Sequence, residues 1–140
     1  MERRIVPDVI GQKQQLLELP GTATVRNAAQ RMRDREVGAV LITNSGQLEG
    51  IFTERDLLMR VVPPGRDPEV TQLKDVMTKN PDTVEADSIA TVALTRMTER
   101  RYRHLPVMKD GQLFGIVSRR DFTGEDISAV EDELGHEQTF

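Results

Sequence analysis

Apolar residues recur at helical spacing in two stretches of this chain and gather into short strand-like runs in four others. Over Val25–Arg35, the residues Val25, Ala28, Ala29 and Met32 fall on one face, which predicts a helix. Over Ser88–Arg100, Ile89, Val92, Ala93 and Met97 do the same, with Asp87 or Ser88 as the N-cap. An apolar run follows each helix, Ala39–Thr43 in one case and Leu105–Met108 in the other. Next comes a turn, Asn44-Ser45-Gly46 or Lys109-Asp110-Gly111, whose glycine supplies the positive φ of a hairpin. A second run, Leu48–Phe52 or Leu113–Val117, completes each hairpin. A further helix is expected from Thr53 and from Ser118; the first of these carries Leu57, Leu58, Val61 and Val62 and ends at Pro63-Pro64-Gly65. Residues 63–70 read as a linker, and residues 71–77 as a short helix leading into Asn80-Pro81.

The same series of elements thus occurs twice, and the residues repeat with it. A shift of 65 aligns Leu19–Leu57 with Val84–Phe122 without a gap, and 11 of the 39 positions are identical. They include Arg31/Arg96, Arg35/Arg100, Gly50/Gly115, Ile51/Ile116 and Asp56/Asp121. The expected organisation is a first repeat over residues 1–65, a second over 66–124 (with 66–77 as linker and lead-in helix), and a tail over 125–140. A unit of about 60 residues buries little surface alone, so the two copies are expected to pack on each other.

Composition narrows the function classes. Hydrophobic residues make up 37% and charged residues 30%, which suits a folded chain with a core. No apolar run reaches the roughly 20 residues of a membrane span, and no signal-peptide pattern follows the N-terminus. Cysteine is absent, which removes disulfides and thiolate chemistry; a cytoplasmic location is the expectation. The net charge of −4 is unevenly spread: six acids (Glu125, Asp126, Glu131, Asp132, Glu133, Glu137) and no Lys or Arg follow Gly124. The rest is mildly basic, without the strong patch of a nucleic-acid binder. The acidic tail reads equally as an extension of the last helix, a segment packed on a neighbour, or a disordered end.

The pattern Thr83-Val84, Ala93, Met97, Leu105-Pro106-Val107, Asp110-Gly111 and Gly115-Ile116-Val117-Ser118-Arg119-Arg120-Asp121, echoed in the first copy, resembles the CBS domain, named for cystathionine β-synthase. The resemblance covers about residues 8–122. It implies an α+β fold of two tandem β-α-β-β-α repeats with pseudo-two-fold symmetry. It also implies a non-catalytic regulatory module that binds an adenine nucleotide between the repeats. AMP or ATP is the expected ligand, S-adenosylmethionine and NAD are further candidates, and no cofactor is required. Expected partners are a second copy of the chain, met through the helices, and a regulated protein; the alternative is a ligand-free dimerisation module.

The resemblance also assigns site residues. A preferred site combines Ile51, Thr53 and Asp56 with Thr83, Tyr102, Arg103 and His104. The carboxylate of Asp56 offers two acceptors to the 2′- and 3′-hydroxyls of a ribose, in charge-assisted bonds. Thr53 stands at a strand-to-helix corner suited to a phosphate, and Tyr102, the single tyrosine, is positioned to stack on adenine. A second, weaker site combines Ile116, Ser118 and Asp121 with Val37 and Gly38; there Glu18 stands where the other copy has Thr83. The competing structural reading is that Thr53-x-x-Asp56 and Ser118-x-x-Asp121 are capping boxes. Arg100, Arg101, Arg103, Arg119 and Arg120 form either a phosphate-facing patch or a solvated face. No nucleophile–base pair, metal cluster or P-loop is present in the sequence; of the two histidines, His136 lies in the tail. An enzymatic role is therefore not expected.

Overall fold

A computed structural model describes residues 2–138, with side chains as far as Gly135. The chain divides into two compact units: residues 15–81, and residues 1–14 together with 82–140. These differ from the repeat boundaries drawn along the sequence. Each repeat takes in the lead-in segment that precedes the other repeat, so residues 1–14 pack with the second copy and residues 66–81 with the first.

In the unit of residues 15–81, strand β1 (Glu18–Leu19) is followed by helix α1 (Val25–Arg35) and by the hairpin of β2 (Ala39–Asn44) and β3 (Gln47–Thr53). The turn α2 (Glu54–Asp56) runs on into a π-helical turn, Leu57–Val61. The lead-in supplies a 3-10 turn, Leu73–Asp75, and strand β4 (Thr78–Lys79). The sheet order is β1-β2-β3-β4, with β1 parallel to β2 and the other pairs antiparallel. Val25, Ala28 and Met32 of α1 close over Val40, Ile42 and Phe52 of the sheet.

The other unit repeats the plan. Strand β5 (Val84–Glu85), helix α3 (Ala90–Arg100) and the hairpin of β6 (His104–Lys109) and β7 (Gln112–Ser118) lead to a 3-10 turn, Arg119–Asp121, and to helix α4 (Gly124–Gln138). The three-stranded sheet runs β5-β6-β7. The hairpin register is preserved under the 65-residue shift: Ala39 opposes Thr53 as His104 opposes Ser118, and both ladders slip at the same place, between Ile42 and Thr43 and between Val107 and Met108. Both two-residue loops, Ser45-Gly46 and Asp110-Gly111, have positive φ throughout, the type I′ signature.

The crossed lead-ins explain several departures from the sequence reading. Helix α3 starts at Ala90 and its N-cap is Ile89, which makes no side-chain cap, not Asp87 or Ser88. The Ala90 N–H instead donates to the Arg3 carbonyl at 2.8 Å, so the lead-in satisfies a donor that a capping side chain would otherwise take. The lead-ins also use the two shared glycines. A Cβ on Gly50 would lie 2.5 Å from Met77 Sδ and 2.9 Å from the Thr78 carbonyl; one on Gly115 would lie 2.8 Å from Gln14 Oε1. Gln14 Oε1 accepts from the Ile116 N–H at 2.7 Å, so a side chain does for β7 part of what the β4 backbone does for β3.

Two apolar faces also differ from expectation. In α3 the buried residues are Ala90, Ala93, Leu94 and Met97, whereas Val92 is 54% exposed. After Thr53 the expected helix forms as far as Val61, its α-turn passing without a break into the π-helical turn; Leu57 and Val61 turn to the core, and Leu58, Met59 and Val62 stand exposed. The acidic tail forms α4. A capping box of Thr123 with Asp126 starts it, Arg3 Nε pairs with Asp126 Oδ2 at 3.2 Å, and Ile127, Val130 and Leu134 pack on the core beside α3. The side chains of His136 and Glu137 lie outside the described residues.

Candidate functional site

Both strand-to-helix corners are built in the same way. Thr53 ends β3 in an extended conformation, and its N–H and hydroxyl donate to Asp56 Oδ2 at 2.9 and 3.2 Å; the Asp56 N–H returns a bond to Thr53 Oγ1 at 3.3 Å. At the end of β7, the Ser118 N–H and hydroxyl donate to Asp121 Oδ2 at 2.6 and 3.2 Å. The capping boxes allowed by the sequence are therefore present in both copies. Each occupies Oδ2 of its aspartate and leaves Oδ1 outside the box. For Asp56, Oδ1 lies 3.5 Å from Arg60 Nε, and the residue is only 8% exposed. Asp121 is exposed, and its register partner for Arg60 is Glu125.

The segments beyond the two corners differ. At Ser118 a single 3-10 turn, ended by extended Phe122, stands where a helix was expected; at Thr53 the helical run continues from Glu54 to Val61. The N–H groups of Thr53, Glu54 and Asp56 are already bonded, that of Glu54 to the Gly38 carbonyl at 3.0 Å.

The second-repeat residues of the preferred assignment, Thr83, Tyr102, Arg103 and His104, sit around α3 and the start of β6. Arg101 closes that helix in the left-handed conformation, and the Tyr102 N–H donates to the Met97 carbonyl at 2.9 Å. Glu36 and Val37 do the same at the end of α1. Tyr102 is 37% exposed. Its hydroxyl donates to Asp82 Oδ2 at 2.9 Å, the same oxygen that Arg100 Nη1 contacts. These bonds from Tyr102 and then Arg100 hold the Asp82 carboxyl below the usual carboxylate range. The bond to Asp82, followed by partial burial, pushes the Tyr102 phenol above the ordinary tyrosine value, and the bond to Asp82 raises Arg100. One turn before Arg100, Arg96 Nη1 donates to the Thr83 carbonyl at 3.0 Å. Arg103 is exposed, and His104 begins β6 opposite Ser118.

Within the compact units, the structure groups Val37, Gly38, Ile51, Thr53 and Asp56 in one, and Thr83, Tyr102, Arg103, His104, Ile116, Ser118 and Asp121 in the other. Each assigned site draws on both units. Three polar residues around these positions escaped the sequence reading. Arg60 is one helical turn beyond Asp56, a spacing that could have flagged it. Asp82 and Arg96 could not have been found so simply, because their partners lie 13–20 residues away. The arginine cluster is dispersed: Arg100 joins Asp82, Arg119 reaches Thr98 Oγ1 and Glu131, and Arg101, Arg103 and Arg120 are exposed. Among the described residues, no three His, Cys, Asp or Glu side chains converge as a metal site, and no helix is long and apolar enough to cross a membrane.

Comparison with known proteins agrees with this doubled architecture. The family described as CBS domain matches residues 9–63 and 73–127. A CBS domain-containing protein of Arabidopsis thaliana is 40% identical over 109 residues, which is 77% of this chain and 20% of that protein. An uncharacterised protein of Methanopyrus kandleri is 34% identical over 118 residues, 81% of this chain and 60% of its own length. The chain thus spans about one fifth of the first of these relatives and under two thirds of the second. Among solved structures, a CBS domain protein from Pyrobaculum aerophilum, complexed with AMP, superposes with a TM-score of 0.80 at 26% identity, covering 93% of this chain and 99% of that one. A CBS-domain containing protein from Agrobacterium tumefaciens gives 0.74 at 32% identity, covering 89% and 97%. With two matched domains, a shared register and two mirrored capping corners, the chain belongs to the CBS-domain family and carries two CBS domains in tandem.

Proposed function

We propose that this tandem CBS module is a non-catalytic regulatory element that binds an adenine nucleotide, AMP or ATP. The observation that carries the reading is the doubled corner in which Thr53/Asp56 and Ser118/Asp121 keep the same hydrogen-bond pattern and each leave one carboxylate oxygen outside the box. A ribose diol needs such an oxygen. The AMP held by the Pyrobaculum relative supports the choice of ligand.

In this reading Ile51, Thr53 and Asp56 act with Thr83, Tyr102, Arg103 and His104 as the preferred site. Ile116, Ser118 and Asp121 with Val37 and Gly38 form a weaker one. The preference rests on Thr83 and Tyr102, whose counterparts are Glu18 and Val37. A carboxylate near a nucleotide's phosphates would repel them, and a valine gives no face on which to stack. Occupancy would favour one arrangement of the repeats over another and so bias a partner protein. Leu58, Met59 and Val62, exposed on one turn, support a homodimer formed through the helical side. The cytoplasm is the compartment that fits a cysteine-free sensor of a free nucleotide.

A second reading has its own support. The corners already satisfy their own groups, and Arg60 neutralises Asp56, so a ligand-free interaction module is stable as it stands. Thermal unfolding with AMP, ATP, NAD(H) and S-adenosylmethionine separates the two. A binder stabilises the fold by about 2.7 kcal/mol at one hundred times its Kd. No shift with any of the four, from a chain that sediments as a dimer, would favour the interaction module.

A further inference from the structure

The strongest unassigned feature is the polar cluster at the end of α3. Asp82 Oδ2 receives both the Tyr102 hydroxyl, at 2.9 Å, and Arg100 Nη1, while Arg96 Nη1 grips the neighbouring Thr83 carbonyl at 3.0 Å. Arg96 and Arg100 lie one turn apart on the same helix edge, so a single rigid element holds Asp82, Thr83 and Tyr102 in place. The ring is fixed at both ends: its backbone N–H donates to Met97, and its hydroxyl donates to Asp82.

The first repeat shows that this is not a general requirement of the fold. It has the same two arginines, Arg31 and Arg35. There Arg31 Nε turns back to Asn27 Oδ1 at 3.2 Å, and Arg35 Nη2 reaches the Gln15 carbonyl at 2.8 Å. Leu17 occupies the position of Asp82, and Val37 that of Tyr102. The backbone closes in the same way without the cluster, so the cluster serves something other than folding.

We propose that Asp82 is a positioning residue for ligand recognition: with Arg100 it holds the Tyr102 ring by its hydroxyl, beside Thr83, as a fixed platform for a planar base. This rests on the nucleotide reading above and adds a residue to it. An exposed side chain that becomes ordered only on binding subtracts from affinity; one already pinned does not. The paired carboxylate also carries its own counter-charge in Arg100, so it sets the ring without presenting a bare anion to the ligand.

The chain offers a direct readout, since Tyr102 is its single tyrosine and tryptophan is absent. Ultraviolet titration of the intact protein therefore reports the Tyr102 phenol alone, and calorimetry with AMP reports binding. In Asp82→Asn the phenol is expected to titrate lower than in the wild type. AMP affinity should fall about three- to tenfold, and the far-ultraviolet circular dichroism should stay unchanged. Tyr102→Phe keeps the ring and removes the tether, so it should lose a similar factor. The double variant should bind like Tyr102→Phe alone, because both changes cut one bond. A wild-type Kd in Asp82→Asn despite a lowered phenol titration would overturn the positioning role and leave nucleotide binding intact. Independent, multiplying losses in the double variant would overturn it as well. If the wild type binds neither AMP nor ATP, the nucleotide reading fails and takes this role with it. Should Asp82→Asn not fold, the loss in Tyr102→Phe decides, and wild-type affinity there contradicts the proposal.

Discussion

In the first repeat, Arg31 and Arg35 reach Asn27 and the Gln15 carbonyl; in the second, Arg96 and Arg100 at the same register reach Thr83 and Asp82. The helices end alike, the hairpins pair residue for residue, and the corners cap alike. Backbone architecture is thus set by the positions the copies share, namely apolar core residues, the turn glycine and the capping pair. The residues proposed for recognition fall at positions where they differ: Leu17 against Asp82, Glu18 against Thr83, Val37 against Tyr102. A duplicated fold can in this way keep two equal frames and furnish them unequally.

Equivalent substitutions in the two copies test how far that division holds. The largest effect is expected in the cores. Met32 and Met97 are 6% and 1% exposed, so Met32→Ala and Met97→Ala should each lower stability by about 2–5 kcal/mol in denaturant unfolding. A negligible cost in one of them would mean that the frames are not equal. Gly50→Ala and Gly115→Ala should diverge. The new methyl at Gly50 meets the Thr78 carbonyl and a buried Met77 sulfur, for a cost of about 1–3 kcal/mol. At Gly115 it meets the end of the Gln14 side chain, which can move, so the cost should be smaller. Thr53→Ala and Ser118→Ala remove one cap apiece and should each cost about 1 kcal/mol.

The smallest effect is electrostatic and confined to the second repeat. Because the Tyr102 phenol is raised, its bond to Asp82 contributes stability that is fully present below the ordinary phenol value of about 10 and lost as pH rises through the higher folded value. Asp82 works in the opposite sense. Its lowered carboxyl contributes above the ordinary aspartate value of about 3.9, and that contribution disappears as pH falls through the still lower folded value. Arg100→Met should shift the phenol titration seen by absorbance, whereas Arg35→Met should leave it where it is.

The frames are readable from the sequence because their signals are local. Asn44-Ser45-Gly46 and Lys109-Asp110-Gly111 mark hairpin turns, and the helical spacing of Val25, Ala28 and Met32 marks the α1 face. The α3 face differs from its sequence expectation because apolar residues at 89, 90, 92, 93, 94 and 97 leave the phase of the stripe open; burial of Leu94 settles it and turns Val92 outward. Nothing local shows that the Ala90 N–H is satisfied by Arg3, or that each lead-in crosses to the other repeat. The helix expected after Thr53 forms, but its apolar residues alone do not show that its pitch changes from α to π or that, of Leu57, Leu58, Val61 and Val62, only Leu57 and Val61 turn to the core. At the candidate site the sequence yields the Thr/Ser-x-x-Asp corners and Tyr102, each within a recognisable motif. It does not yield Asp82 and Arg96, whose contacts bridge long separations in the chain.

Isothermal titration of AMP into the wild type, Asp56→Asn and Asp121→Asn bears most directly on nucleotide binding by this chain. Saturable binding of one nucleotide per chain is expected in the wild type, lost in Asp56→Asn and kept in Asp121→Asn. Absence of binding in the wild type would contradict the nucleotide role, and equal losses in the two variants would contradict the inequality of the two halves.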